Sequence, residues 1–176
     1  MHKSKLPEVW LRGPLPNIPQ LLQPVAHALL QSREEVNEML IDFPEKRLWD
    51  KVSGLASAGF HLQHLTGVID RLFTYAAGKK LSNEQLQYLA KEGKDNSESI
   101  AALINSFNMQ VDKAIAQLSA TDENTLTEQR GVGRSQLPST VIGLLFHAAE
   151  HTMRHTGQLL VTVRVTTHTN LPKGEE

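Results

Sequence analysis

The sequence predicts an all-α fold, an antiparallel four-helix bundle with an additional short helix and a long loop before the last helix. Three observations carry this. Four long segments repeat their apolar residues at helical spacing, cap and stop residues bracket them, and the one long unpatterned stretch lies just before the last segment. Elsewhere no run alternates convincingly enough for a strand.

The first helix reads from Ile18 to about Phe43, with Leu21, Leu22, Val25, Leu29, Val36, Met39, Leu40 and Phe43 in register and Pro44 as its stop. A proline is tolerated only in a first turn, so Pro24 places the regular helix start near itself. The second helix covers "LASAGFHLQHLTGVIDRLFTYAAG", with Ser53 and Gly54 as start signals and Gly78 as C-cap. A short connecting helix follows in "LSNEQLQYLAKEG", where Ser82 and Gln85 have capping-box spacing. The third long helix starts at Asn96 or Ser97 and carries Ile100, Leu103, Ile104, Phe107, Val111, Ile115 and Leu118 on one face.

Residues 120–138 hold two glycines, a proline and no sustained period, so they read as a long loop, a kind of segment that is often functional. Ser139 then caps the last helix, which runs from about Thr140 through "VIGLLFHAAEHTMRHTGQLL" into "VTVRVTT". Those final residues are β-branched and alternate with period two, a pattern that opposes helix.

The 176 residues carry a formal charge of −1, with 40% hydrophobic and 21% charged residues, as in one globular domain. The expected unit is a single domain over residues 1–176, its core at about 18–165 and its ends, including "LPKGEE", polar and frayed. A near-neutral charge and 5% aromatic content leave no basic stripe with stacking residues, which argues against nucleic acid and for a small-molecule partner. The opening residues, with four prolines, do not read as a secretory segment, and nowhere do about 18 apolar residues run together. A cytoplasmic protein with no membrane partner is expected. There is no cysteine, so any metal must be held by His, Asp or Glu.

Eight histidines make that option concrete. On the last helix, His155 falls about 80° from the centre of the apolar stripe (Val141, Leu145, Ala148, Ala149, Thr152, Leu159, Val163), His151 about 120° and His147 about 160°. His151 and His155 therefore sit at the rim of the buried face, and His147 points to solvent. Their i, i+4 spacing puts both imidazoles about 6 Å apart along one face, within reach of one cation. A third ligand must come from another helix. The second helix offers His61, nearer its apolar centre, and His64 at its rim, and periodicity does not choose between them. His61 reads equally as a core histidine with a satisfied hydrogen bond.

"HLQHL" on the second long helix, joined to "HAAEHTMRHTGQLL" on the last, resembles the DinB-like superfamily of metal-binding four-helix bundles over roughly Ile18 to Val165. The resemblance implies a three-histidine metal centre at His64, His151 and His155. It also implies that some relatives use low-molecular-weight thiols in transferase or isomerase reactions, that others are hydrolases, and that self-association as a homodimer is common. This sequence departs from the commonest family form in having Thr156 where an Arg often follows the second histidine, with Arg154 just before it.

Three nitrogen ligands leave coordination positions open, and a divalent ion there activates a thiol or water. Zinc and nickel both suit imidazole. The expected function is thus a metal-dependent enzyme, with an S-transferase using a low-molecular-weight thiol as its most concrete form. The alternatives are a metal-dependent hydrolase and a non-catalytic helical scaffold.

Other candidates read as structural. Glu150 points away from the stripe, and His27 lies opposite the stripe of its own helix. Arg130 and Arg134 on the loop are exposed residues with an outside role in binding a carboxylate. Asp70, Arg71, Glu34 and Glu38 read as solvated charges. Met109, Met153, Phe60, Phe73, Tyr75, Phe107 and Phe146 are spaced as core. "GVG" at 131–133 lacks the strand and the Lys-Ser/Thr of a phosphate loop.

Overall fold

The computed structural model describes residues 6–168; the C-terminal "LPKGEE" lies outside the described residues. Five α-helices follow in order: α1 (Gln23–Met39), α2 (Ala58–Ala76), α3 (Asn83–Lys91), α4 (Ile100–Ser119) and α5 (Val141–His168). The long ones form the expected all-α bundle. Each of α1 and α2 packs against both α4 and α5. The seam between them is filled by Leu22, Leu29, Val36, Leu62, Leu65, Ile69, Leu103, Phe107, Leu118, Leu145 and Leu159, all essentially without solvent contact.

Cross-helix bonds fix the directions. Arg33 reaches Asp112 and Asn37 reaches Asn108, so α1 and α4 are antiparallel; His61 meets His155 and His64 meets His151, so α2 and α5 are too. By contrast, α2 and α4 share an orientation. Gln117 near the end of α4 bonds the carbonyl of Phe73 near the end of α2, and the starts of both helices touch the 45–48 turn through Glu45 and Leu48. Short α3 makes this arrangement feasible by carrying the chain back along α2. Its Gln85 bonds Asp70 and Thr74, while its Tyr88 reaches the carbonyl of Gln63.

Local chemistry sets most of the ends. Pro24 occupies the first turn of α1. The Ser82–Gln85 capping box opens α3 with both of its bonds made. Gly78, at φ +71°, closes α2 as a Schellman turn in which the amide of Gly78 reaches the Tyr75 carbonyl and that of Lys79 the Thr74 carbonyl. Three caps shift from their expected places. Ser57, not Ser53 or Gly54, caps α2; Ser99, not Asn96 or Ser97, caps α4; and Thr140, one residue beyond Ser139, accepts from the Gly143 amide at the start of α5. More than one candidate cap stands at each start, and the cap is the one whose hydroxyl oxygen meets a free amide three residues on.

Two further expectations are corrected. The stretch expected to be loop contains a β-hairpin, β1 (Gln129–Val132) with β2 (Leu137–Thr140), pairing Gln129 with Thr140 and Val132 with Leu137. Strands of four residues are too short to show a period. Phe146 and Met109, expected in the core, are 63% and 52% exposed. The β-branched end of α5 stays helical because Thr162, Val163 and Thr166 all turn inward on one side. No helix among the described residues is long and apolar enough to cross a membrane.

Candidate metal centre

His64 sits two turns into α2 and faces the middle of α5, where His151 and His155 stand one turn apart. The antiparallel packing of these helices brings one ring nitrogen from each of the three within 4.8 Å of the others. The Nε2 atoms of His64 and His151 lie 2.9 Å apart. An ion with metal–nitrogen bonds of about 2.0–2.1 Å in tetrahedral geometry separates its ligand nitrogens by roughly 3.3 Å. The cluster therefore fits a divalent ion with small side-chain adjustments. All three residues are half-buried.

Electrostatics suits ligation as well. Burial first, and the neighbouring imidazoles second, push His155 down to about 4 and lower His151. Rings that stay neutral at pH 7 keep a nitrogen lone pair for a cation. Buried His61 is likewise pushed down to about 4 by burial. Its Nδ1 lies 3.1 Å from Nδ1 of His155, so it is the hydrogen-bonded core histidine, placed behind a cluster member.

The far nitrogens of the three rings are held differently. His64 Nδ1 donates to Glu92 Oε2 at 2.8 Å, His155 Nδ1 faces His61, and His151 Nδ1 is buried with no partner among the described residues. The ring of Phe60 stacks on His64 with centroids 5.3 Å apart and planes within 9°.

Sequence reasoning missed the charge behind His64. Arg71, expected as a solvated residue, is buried and pairs with Glu92, whose side chain is only 6% exposed. Helical periodicity sees only Arg71's own helix, and its partner arrives from the far end of α3. The available signals were a glutamate–glycine pair ending a well-capped short helix, and Gly67 inside α2 one turn beyond His64.

The remaining candidates lie apart from the cluster's centre. His147 is exposed and Glu150 half-exposed; with His151 they form a second group of possible ligands, but Glu150 is already engaged by Arg154. Arg130 ties β1 to the carbonyl of Ala76 and to Glu128, and lines a cavity of about 380 Å³ with Lys79 and Gln117 at the opposite end of α2 from His64. Arg134 is exposed at the hairpin tip. His27, expected on the surface, is half-buried and bonds the carbonyl of Gly13. Thr156 is fully buried, bonding Ser32 of α1 and the carbonyl of Thr152, so this position is a helix–helix contact.

Fold and cluster define a class: helical bundles carrying a three-histidine group that could hold a metal ion. A family model of the DinB superfamily matches residues 17–159, and the chain belongs to that superfamily. Solved structures agree on the fold. A DinB-like protein from Bacillus subtilis is 24% identical at a TM-score of 0.60, over 85% of this chain and 96% of its own. Another from Bacillus cereus is 18% identical at 0.59, over 84% and 95%. A protein from Streptococcus pneumoniae is 12% identical at 0.62, over 87% and 93%. A comparison with curated proteins gives no match.

Proposed function

We propose that this protein is a metal-dependent enzyme in which His64, His151 and His155 hold a divalent ion, zinc or nickel, that activates a low-molecular-weight thiol or a water molecule for reaction with a small-molecule substrate. The observation that carries the proposal is the convergence of three half-buried imidazole nitrogens within 4.8 Å between two packed helices. Nitrogen-only ligation with free positions is the pattern of catalytic rather than closed structural sites. A divalent ion so held acidifies a thiol or water and supplies a nucleophile at neutral pH. The chain's own contribution is positional. The α2–α5 packing sets the spacing of the rings, depressed pKa values keep His151 and His155 neutral, and Phe60 covers one face of His64. With a thiol as co-substrate the reaction is an S-transfer; nothing in the cluster selects the group transferred.

A second reading, a scaffold that self-associates, draws on Phe146, Leu160 and Val161. They are exposed on α5 and spaced to share its outer side, as a homodimer contact requires.

Elemental analysis of untagged protein separates the two. The enzyme reading expects one zinc or nickel ion per chain, lost in His64→Ala, His151→Ala and His155→Ala and retained in His61→Ala. Protein that takes up no stoichiometric metal after incubation with zinc and nickel sinks that reading and leaves the scaffold.

A further inference from the structure

The geometry points to Glu92 as a positioning residue for the metal centre: it fixes the tautomer and direction of His64 so that Nε2 faces the ion. The inference rests on the proposed metal site, but its structural half is visible in the ion-free protein.

Glu92 is the C-cap of α3 and leaves the helix in an extended conformation, φ −53° and ψ 131°. Gly93 follows at φ +81°, a conformation open to glycine at no steric cost, and a Cβ there would come within 3.0 Å of the Phe60 ring. This turn swings the Glu92 side chain inward beneath α2. Its carboxylate is then divided, with Oε1 taken by Arg71 and Oε2 by His64 Nδ1.

The space for this contact comes from Gly67. A Cβ on Gly67 would overlap the Glu92 carboxylate and would lie 2.5 Å from Arg71 Nη1 and 2.9 Å from the Tyr88 ring. The end of α3 is also pinned independently of the carboxylate. Tyr88 donates to the Gln63 carbonyl at 3.0 Å, and the buried Gln63 side chain accepts from the Gly93 amide at 2.7 Å and donates to the Lys94 carbonyl at 3.2 Å. Gln63 is the residue next to His64, so the segment that delivers Glu92 is fastened beside the ring it supports.

A carboxylate only accepts, so the proton of a neutral His64 resides on Nδ1 and the Nε2 lone pair faces His151. A histidine ligand held in this way by a carboxylate gains basicity and a fixed ring plane. No other member of the cluster has such support: His155 leans on neutral His61, and His151 Nδ1 has no partner among the described residues.

The test is ¹⁵N NMR of the histidine rings in ion-free protein, joined to zinc titration, on the parent and three variants. The parent should show His64 protonated at Nδ1. Glu92→Ala should mix or invert the tautomer and weaken zinc binding about 10–100-fold. Glu92→Gln leaves one acceptor oxygen for two donors; the Arg71 guanidinium keeps it, the amide NH2 faces His64 Nδ1, and the variant should invert the tautomer and weaken zinc binding as Glu92→Ala does. Gln85→Ala removes the bonds to Asp70 and Thr74 at the other end of α3, two turns before Glu92, and should change neither. The inference is overturned if Glu92→Ala or Glu92→Gln keeps parental affinity with an altered tautomer, if the parent proton sits on Nε2, or if Gln85→Ala moves both readouts as far as Glu92→Ala. A parent that binds no zinc defeats the metal reading instead, and the tautomer arm still decides whether Glu92 orients His64.

Discussion

Each of the two helices that supply the cluster, α2 and α5, carries an arginine paired with a glutamate beside its histidines, and the two pairs behave as different objects. On the α2 side, Arg71 and Glu92 have side chains 11% and 6% exposed and come from separate elements 21 residues apart. On the α5 side, Arg154 and Glu150 are 52% and 36% exposed and lie one turn apart on the same helix, with Arg154 Nε donating at 3.0 Å. The second pair holds the Glu150 carboxyl below its ordinary value through the Arg154 hydrogen bond, and beyond itself Glu150 meets only exposed His147 of the same helix, at 3.5 Å. The first fastens α3 to α2 and leaves one carboxylate oxygen for His64. Chemistry is common to both, so burial and sequence separation make the difference.

Removing each arginine is the sharpest way to break this comparison. Arg71→Met leaves the Glu92 carboxylate buried beside a thioether, and breaking a buried pair from one side costs about 3–5 kcal/mol. Part of that cost is relieved if α3 undocks and lets Glu92 reach water. We expect a lower urea midpoint together with faster amide exchange over Asn83–Lys91. Arg154→Met should leave both unchanged, as exposed helix pairs generally do. Equal losses in the two variants would show that the α3 side is not the ordered one.

The same contrast explains what could be read in advance. The four long helices, the capping box of α3, the inward stripe of α5 and the rim placement of His64, His151 and His155 all follow from period and caps, because each is a property of one helix. The core position of His61 was legible for the same reason. The Arg71–Glu92 pair was not, since it needs the return of α3 along α2, a tertiary fact set by the cap at Ser82 and the turn at Gly93. Spacing alone puts Phe146 among the packing residues, but it lies off the centre of the α5 stripe, and the structure leaves it 63% exposed. The hairpin escaped because it is short and its turn is polar.

A pH series probes the histidines that face one another without a carboxylate. His61 and His155 are both pushed down to about 4 in the fold, from an ordinary value of 6.5. Between those values the unfolded chain binds more protons than the folded one, so stability rises with pH across this window and is lost as pH falls through it. Ion-free protein should show a falling urea midpoint from pH 6.5 towards pH 4. In His61→Gln one of the two groups is gone, and the slope should flatten. A slope unchanged by that substitution would place the acid sensitivity elsewhere.

The mildest test uses two glycines, one on each histidine helix. Gly67 is enclosed: its missing Cβ is the space shared by Arg71, Tyr88 and Glu92. Gly157, two residues past His155, is exposed, and a Cβ there would have nothing within 4 Å. Gly67→Ala should cost about 1–3 kcal/mol through overpacking and disturb α3 in the manner of Arg71→Met. Gly157→Ala meets no such obstacle and restricts the unfolded chain, so it should stabilise by roughly 0.5–1 kcal/mol. Both substitutions add the same methyl group to a helix interior and propensity alone favours both, so opposite signs in thermal unfolding would isolate the packing of α3 over α2 as the cause. If Gly157→Ala instead destabilises the protein, the outer side of α5 is covered in solution, and the homodimer contact suggested by Phe146, Leu160 and Val161 gains support.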